Sequence, residues 1–199
     1  MPIRTSASLT TLDALNTMAS YIGIPPLLNL VEVDVEPDFV IANDILLEVT
    51  QTILSQGLPC NTDFEFTLSE LRDGLTAVPE GALICDVSTD DRYVERDTYI
   101  YNIWDKAFET RVDLKARVVW DMTFDELPEL VKRYIMTVAS RAYVSRIKGD
   151  AGLTQLTIPD ERRTKQEFQR YVFKMGDWTM LSDPRLDYIT RRQQYYRRY

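Results

Sequence analysis

Histidine is absent from these 199 residues. That single absence removes Ser-His-Asp and Cys-His catalytic arrangements, zinc sites of the H-E-x-x-H kind and imidazole proton shuttles. Cysteine is scarce: only Cys60 and Cys85 occur, read as two buried thiols and not a disulfide framework. The seven glycines form neither a G-x-x-x-x-G-K-[ST] phosphate loop nor a G-x-G-x-x-G turn. No apolar run is long enough to span a bilayer. The opening MPIRTSASLTTLDALNTM lacks the apolar core of a secretory signal. No membrane partner, no cofactor and synthesis in the cytoplasm are the expectations that follow. Carboxylate-pair chemistry stays open, because Asp and Glu together number 31, yet no pair is singled out.

What the chain does have is a 45% apolar composition, enough for an ordinary core. Its length suits one domain or a domain with a substantial insertion. The formal charge of −8 is unevenly spread: residues 183–199 carry five arginines against two aspartates, leaving −11 on residues 1–182. So acidic a body argues against a general nucleic-acid binder, which needs clustered Lys and Arg. It suits a surface that DNA passes without sticking.

Periodicity predicts helices at both ends of the chain. In 11–23, Leu12, Leu15, Ala19 and Ile22 share one face, Thr10 and Asp13 form a capping box, and Gly23 with Pro25-Pro26 stops the helix. The prolines leave Leu27, Leu28 and Leu30 to pack. A second helix fits 37–57, with Pro37 in its first turn, Phe39, Ala42, Ile45, Leu46, Val49 and Ile53 as its stripe, and Gly57 closing it. The strongest helical pattern runs over 124–147, opened by Thr123 with Glu126 and by Pro128. A last helix is expected at 158–176, burying Phe168, Tyr171, Val172 and Met175. Between them, DFEFTL, ALICDV, TYIYNI and ARVVWDM read as strands, four to six in all and antiparallel, separated by turn-forming pieces. The predicted fold is mainly α: a four-helix bundle (1–57 and 123–182), a small antiparallel β insertion (58–122) and an extended C-terminal arm (183–199).

Acids cluster at Glu32-Asp34-Glu36-Asp38, where alternation with Val31, Val33 and Val35 suggests an extended segment with its carboxylates in solvent. The spacing lacks the Gly and closing Glu of a calcium loop, so no metal site is assigned. Asp121-Asp125-Glu126 reads as acids favoured near a helix N-terminus. Tyr134 and Tyr143 fall on a helical core face. Arg191, Arg192, Tyr195, Tyr196, Arg197, Arg198 and Tyr199 differ, because RRQQYYRRY holds no acid and no aliphatic residue. Arg and Tyr are the types enriched at the centres of protein interfaces, and docking onto a protein partner is the favoured reading. Plain disorder and a nucleic-acid arm remain open beside it.

The order of the pieces resembles the tail tubular protein A family of short-tailed phages. The resemblance rests on Leu15-Asn16, Ile22-Gly23, Pro25-Pro26 and Leu30, then on Ala42, Ile45 and Gly57, then on Asn61-Thr62. FDELPELVKRYI at 124–135 and GDWTML at 176–181 complete it, although Pro59-Cys60 departs from an aromatic position of the family. It implies a structural virion protein, not an enzyme: a head-to-tail adaptor. Such an adaptor forms a homo-oligomeric ring, a dodecamer, between the portal protein and the tail nozzle protein, with genomic DNA passing unbound through the lumen. The C-terminal segment would then be an arm gripping a neighbour or the portal. Two other classes compete: a polysaccharide-degrading tail enzyme using two carboxylates, and a nucleic-acid-binding module acting through the basic tail.

Overall fold

The first helix, α1 (Thr11–Ser20), starts where a capping box compels it. Asp13 N–H donates to Thr10 Oγ1 at 3.2 Å, and Thr10 N–H donates back to the Asp13 carboxylate at 3.1 Å. The computed structural model describes residues 8–69, 74–87, 92–108, 113–149 and 151–175. After α1 come α2 (Pro37–Leu54), β1 (Thr62–Leu68), β2 (Ala82–Asp86), β3 (Tyr93–Arg96), β4 (Tyr99–Asn102), β5 (Leu114–Trp120), α3 (Glu129–Lys148) and α4 (Ala151–Met175). In α1, Ala14, Leu15, Met18 and Ala19 are buried, with Leu12 and Ile22 flanking them. Asn16 then fixes the proline segment. Its side-chain amide donates to Leu27 O at 2.9 Å and accepts from Leu27 N–H at 2.8 Å, pairing as a backbone would.

The acidic stretch is not extended. Leu30–Glu32 is a 3-10 turn, and only Val33 of the three valines is buried. Nor does the helix expected from residue 124 begin at Phe124. Phe124–Glu126 is a second 3-10 turn closed by the Thr123–Glu126 capping box; Leu127 and Pro128 are extended, and α3 starts at Glu129. Proline disfavours helical geometry at the residue before it, which is why the helix waits. α4 starts earlier than its apolar pattern suggests and carries Pro159 inside it.

The expected mainly α four-helix bundle with a small β insertion is overturned. Four helices are present among the described residues, but five antiparallel strands in two sheets accompany them. About 50% of the described residues are helical and 21% strand, so the fold is mixed α/β. The reason lies in the strands, not in the helices, which do share a core: α3 buries Val131, Ile135, Ala139 and Tyr143 in one cluster with α1, α2 and Phe168 of α4. The α3–α4 contact runs antiparallel through Tyr134 stacked on Phe168 (4.6 Å), Thr137 to Thr164 (2.8 Å) and Arg141 to Glu161 (2.6 Å).

The strands also have a core of their own. β5 is central in the order β1-β5-β2, and β3 pairs with β4 as a hairpin. Leu114, Ala116 and Val118 of β5 meet Leu68, Cys85, Val87, Tyr93 and Ile100 in a second apolar cluster. Asn61 splices the two clusters together. Its buried amide donates to Leu54 O (3.2 Å) at the end of α2 and to Trp120 O (2.8 Å) at the end of β5, while its carbonyl accepts from Leu58 N–H (2.8 Å). Beside it, Gly57 has φ +73°, and a Cβ there would collide with the Arg117 guanidinium.

Asn61→Ala removes the side-chain partners of Leu58 N–H and Trp120 O, and one of the two donors to Leu54 O, which keeps Gly57 N–H at 2.9 Å; it should cost about 2–3 kcal/mol in urea denaturation. Gly57→Ala should cost about 1–2 kcal/mol through its left-handed conformation and the displaced Arg117. A loss below about 0.5 kcal/mol in either variant would refute the corresponding assignment.

Candidate interaction surfaces

The first surface begins with a buried cation. Lys132, in the first turns of α3, is 2% exposed, and its three N–H bonds are matched by three oxygens. These are Ser8 Oγ (3.0 Å), Leu9 O (3.1 Å) and Asp125 O (2.7 Å). Around it, Glu129 accepts from Leu9 N–H at 3.0 Å and from Arg133 Nε at 2.8 Å, and Asp125 accepts from Thr11 N–H at 2.9 Å. The start of α1 is thereby clasped to the start of α3. Burial raises the Glu129 carboxyl pKa, but the Leu9 N–H, Arg133 and Lys132 outweigh it and hold it below its ordinary value.

Beside this clasp lies a recess of about 580 Å³ lined by Leu9, Leu12, Leu28, Leu30, Val31 and Lys132. Its outer wall is the connection between α1 and α2, where Leu28 (81%), Val31 (82%) and Val35 (76%) stand exposed. Leu28 and Leu30 therefore do not pack as their apolar character suggested; only Leu27 of the three leans on the core. Asp34, Glu36 and Asp38 are exposed and Glu32 half-buried on the same stretch, which holds no basic residue. The result is an acidic ledge studded with aliphatics.

A second surface sits at the end of the β3–β4 hairpin. Asn102 Oδ1 accepts from Trp104 N–H (2.9 Å) and Asp105 N–H (3.1 Å), and its amide donates to Asp105 Oδ2 (2.8 Å). Lys106 takes a positive φ of 55° to close the loop. The loop presents Trp104 at 72% exposure, with Arg92 5.7 Å from its ring. A third surface is the last turn of α4, where Phe173 is 74% exposed and Met175 stands out beside it. Met175 was expected to be buried; the helix runs past the body it packs on.

Chemistry is less well provided for. A recess of about 390 Å³ gathers Asp13, Glu129, Asp160 and Glu167 with Arg133 and Arg163. Glu129 is shifted the wrong way for a general acid. Among the described residues no group of three or more His, Cys, Asp or Glu side chains is placed to hold a metal, and no helix is long and apolar enough to cross a membrane. Both cysteines are free. Burial pushes the Cys85 thiol up to about 11, helped by Glu95 and Asp86, and burial raises Cys60 as well.

Arg191, Arg192, Tyr195, Tyr196, Arg197, Arg198 and Tyr199 lie outside the described residues, as does GDWTML. Sequence reasoning passed over Lys132, Asn102 and Trp104. An asparagine two residues before an exposed tryptophan is a turn signal, and a lysine amid a helix's apolar face a burial signal; neither identifies a surface alone.

The profile of a family described as tail tubular protein matches residues 12–178, from α1 to just past α4. Tail tubular protein A of Klebsiella phage KP34 is 24% identical over 153 residues, covering 76% of this chain and 81% of that protein.

Since the Glu129 carboxyl is held low in the folded state, the stability it contributes is present at neutral pH. It is lost as pH falls through its folded value. Glu129→Gln should therefore lose less stability than the parent between about pH 6 and pH 3 in urea melts. Parallel pH profiles for the two proteins would dismiss the clasp as a source of acid sensitivity.

Proposed function

The chain belongs to the tail tubular protein family, and we propose that within it the protein is the head-to-tail adaptor of a short-tailed phage. Membership makes it a structural component of the phage virion tail and not an enzyme. The proposed role is finer: a closed ring of about twelve copies between the portal and the tail nozzle, with genomic DNA threading the lumen. The observation that carries this reading is the family match, which spans both apolar clusters and every helix and strand of the described structure.

Three further features support it. Ring closure needs two different patches on each subunit, and the acidic ledge, the Trp104 loop and the end of α4 offer apolar surfaces on separate elements. The body's −11 charge repels a passing duplex. Residues 183–199, with Arg191, Arg192, Tyr195, Tyr196, Arg197, Arg198 and Tyr199, form the partner-binding arm of this proposal. Its organisation is a helical body (1–57 and 123–182), a β-rich unit (58–122) and that arm.

Quantitative mass spectrometry of purified virions should find about one copy per portal subunit. Absence from the particle would overturn the adaptor role. Removal of residues 185–199 should weaken retention on the portal with the melting temperature nearly unchanged, and undiminished retention would discard the arm.

A further inference from the structure

Exposed aliphatic side chains gathered on one short stretch mark an interaction surface. Between Leu28 and Asp38 the chain presents Leu28, Val31 and Val35 to solvent beside Glu32, Asp34, Glu36 and Asp38, with no Lys or Arg among them. The stretch is also well held. Asn16 grips Leu27 on one side, Leu28 N–H reaches Glu32 at 3.4 Å, and Tyr143 Oη donates to Asp38 O at 3.2 Å on the other. A ledge held at both ends loses little entropy on binding.

Its chemical complement lies in the same chain. RRQQYYRRY has four arginines, three tyrosines, no acid and no aliphatic residue. Guanidinium forks match carboxylates, and tyrosine rings cover aliphatic side chains while keeping a hydroxyl in water. Residues 176–199 follow α4 and, fully extended, span on the order of 80 Å, against a folded body on the order of 40 Å across. Reach is therefore no obstacle to a neighbouring subunit. The last turn of α4 leaves Phe173 and Met175 exposed, apolar surface at the point where residues 176–199 begin.

We infer that the ledge Leu28–Asp38 is the receptor for residues 191–199 of a second copy of this chain, Arg pairing with the four carboxylates and Tyr lying on Leu28, Val31 and Val35. This rests on the arm of the proposed function and names its seat. Ledge and arm are different patches of one subunit, so the contact is heterologous and propagates around a ring.

The test is a charge exchange in the full chain, read by native mass spectrometry and sedimentation, alone and with portal. One variant carries Glu32→Lys, Asp34→Lys, Glu36→Lys and Asp38→Lys; the other carries Arg191→Glu, Arg192→Glu, Arg197→Glu and Arg198→Glu. Each alone should weaken self-association by roughly tenfold or more. The two mixed in equal amounts should recover it, because every arm then finds a ledge of opposite charge on its neighbour. A chain carrying both sets should recover too. The milder Glu32→Gln, Asp34→Asn, Glu36→Gln and Asp38→Asn set, checked by thermal melts, should also weaken association, which guards against misfolding. Unaltered association of the ledge variants overturns the inference, as does failure of both the mixture and the combined chain to recover. Recovery of the combined chain but not of the mixture assigns the contact to one subunit and overturns the second copy. If removing residues 185–199 abolishes portal retention while the ledge variants behave as the parent, the arm stands and only its seat is wrong. An unaltered chain that neither self-associates nor binds portal overturns both readings.

Discussion

An ammonium group buried without a matching set of acceptors costs several kcal/mol. Lys132 avoids that cost only where Ser8, Leu9 and the Asp125 carbonyl converge on it. Two of those acceptors belong to the segment leading into α1 and the third to the 3-10 turn before α3. One cation therefore dictates that both helices begin at the same place. The consequences spread outward: the Asp13 cap and the Asp125 contacts to Thr11 fix the start of α1, and Asn16 then fixes the proline segment that carries the ledge. The ledge is exposed because everything behind it has been placed by these bonds.

The two apolar clusters are joined by different means. Apolar packing is tolerant of small rearrangements, whereas Asn61 must reach two carbonyls and one N–H at once. Such a splice fixes the exit of α2 against the end of β5, and Gly57 with Arg117 tightens the same corner. A junction made of directional bonds holds the helical and β parts in one relative geometry more strictly than apolar contact would.

Local signals were readable in the sequence; collective ones were not. The Thr10–Asp13 and Thr123–Glu126 boxes need only neighbouring residues, and both form. The four aromatic or β-branched runs coincide with β1, β2, β4 and β5, while β3, four residues long, gives too short an alternation to read. Val31, Val33 and Val35 alternate with acids as a strand would, yet a Pro37 helix start and a 3-10 turn claim the segment first. The bundle expectation failed because periodicity counts helices and marks their apolar faces, but it does not show that the short strands build two sheets and a second apolar cluster of their own. The ledge failed for a related reason: apolar character alone does not tell an exposed Leu28 or Leu30 from a core residue. Of the interface residues named from sequence, Arg191 to Tyr199, none falls within the described structure.

The clasp at Lys132 joins residues 123 apart in sequence. A ribosome releases Leu9 long before Lys132, so α1 and α2 leave the exit tunnel with Leu15, Met18, Phe39 and Leu46 unsheltered while the whole β region is still being made. Closing so long a loop adds entropy that only the finished α3 can offset. The nascent chain thus exposes most apolar surface during the translation of its own middle, before α3 can cover it.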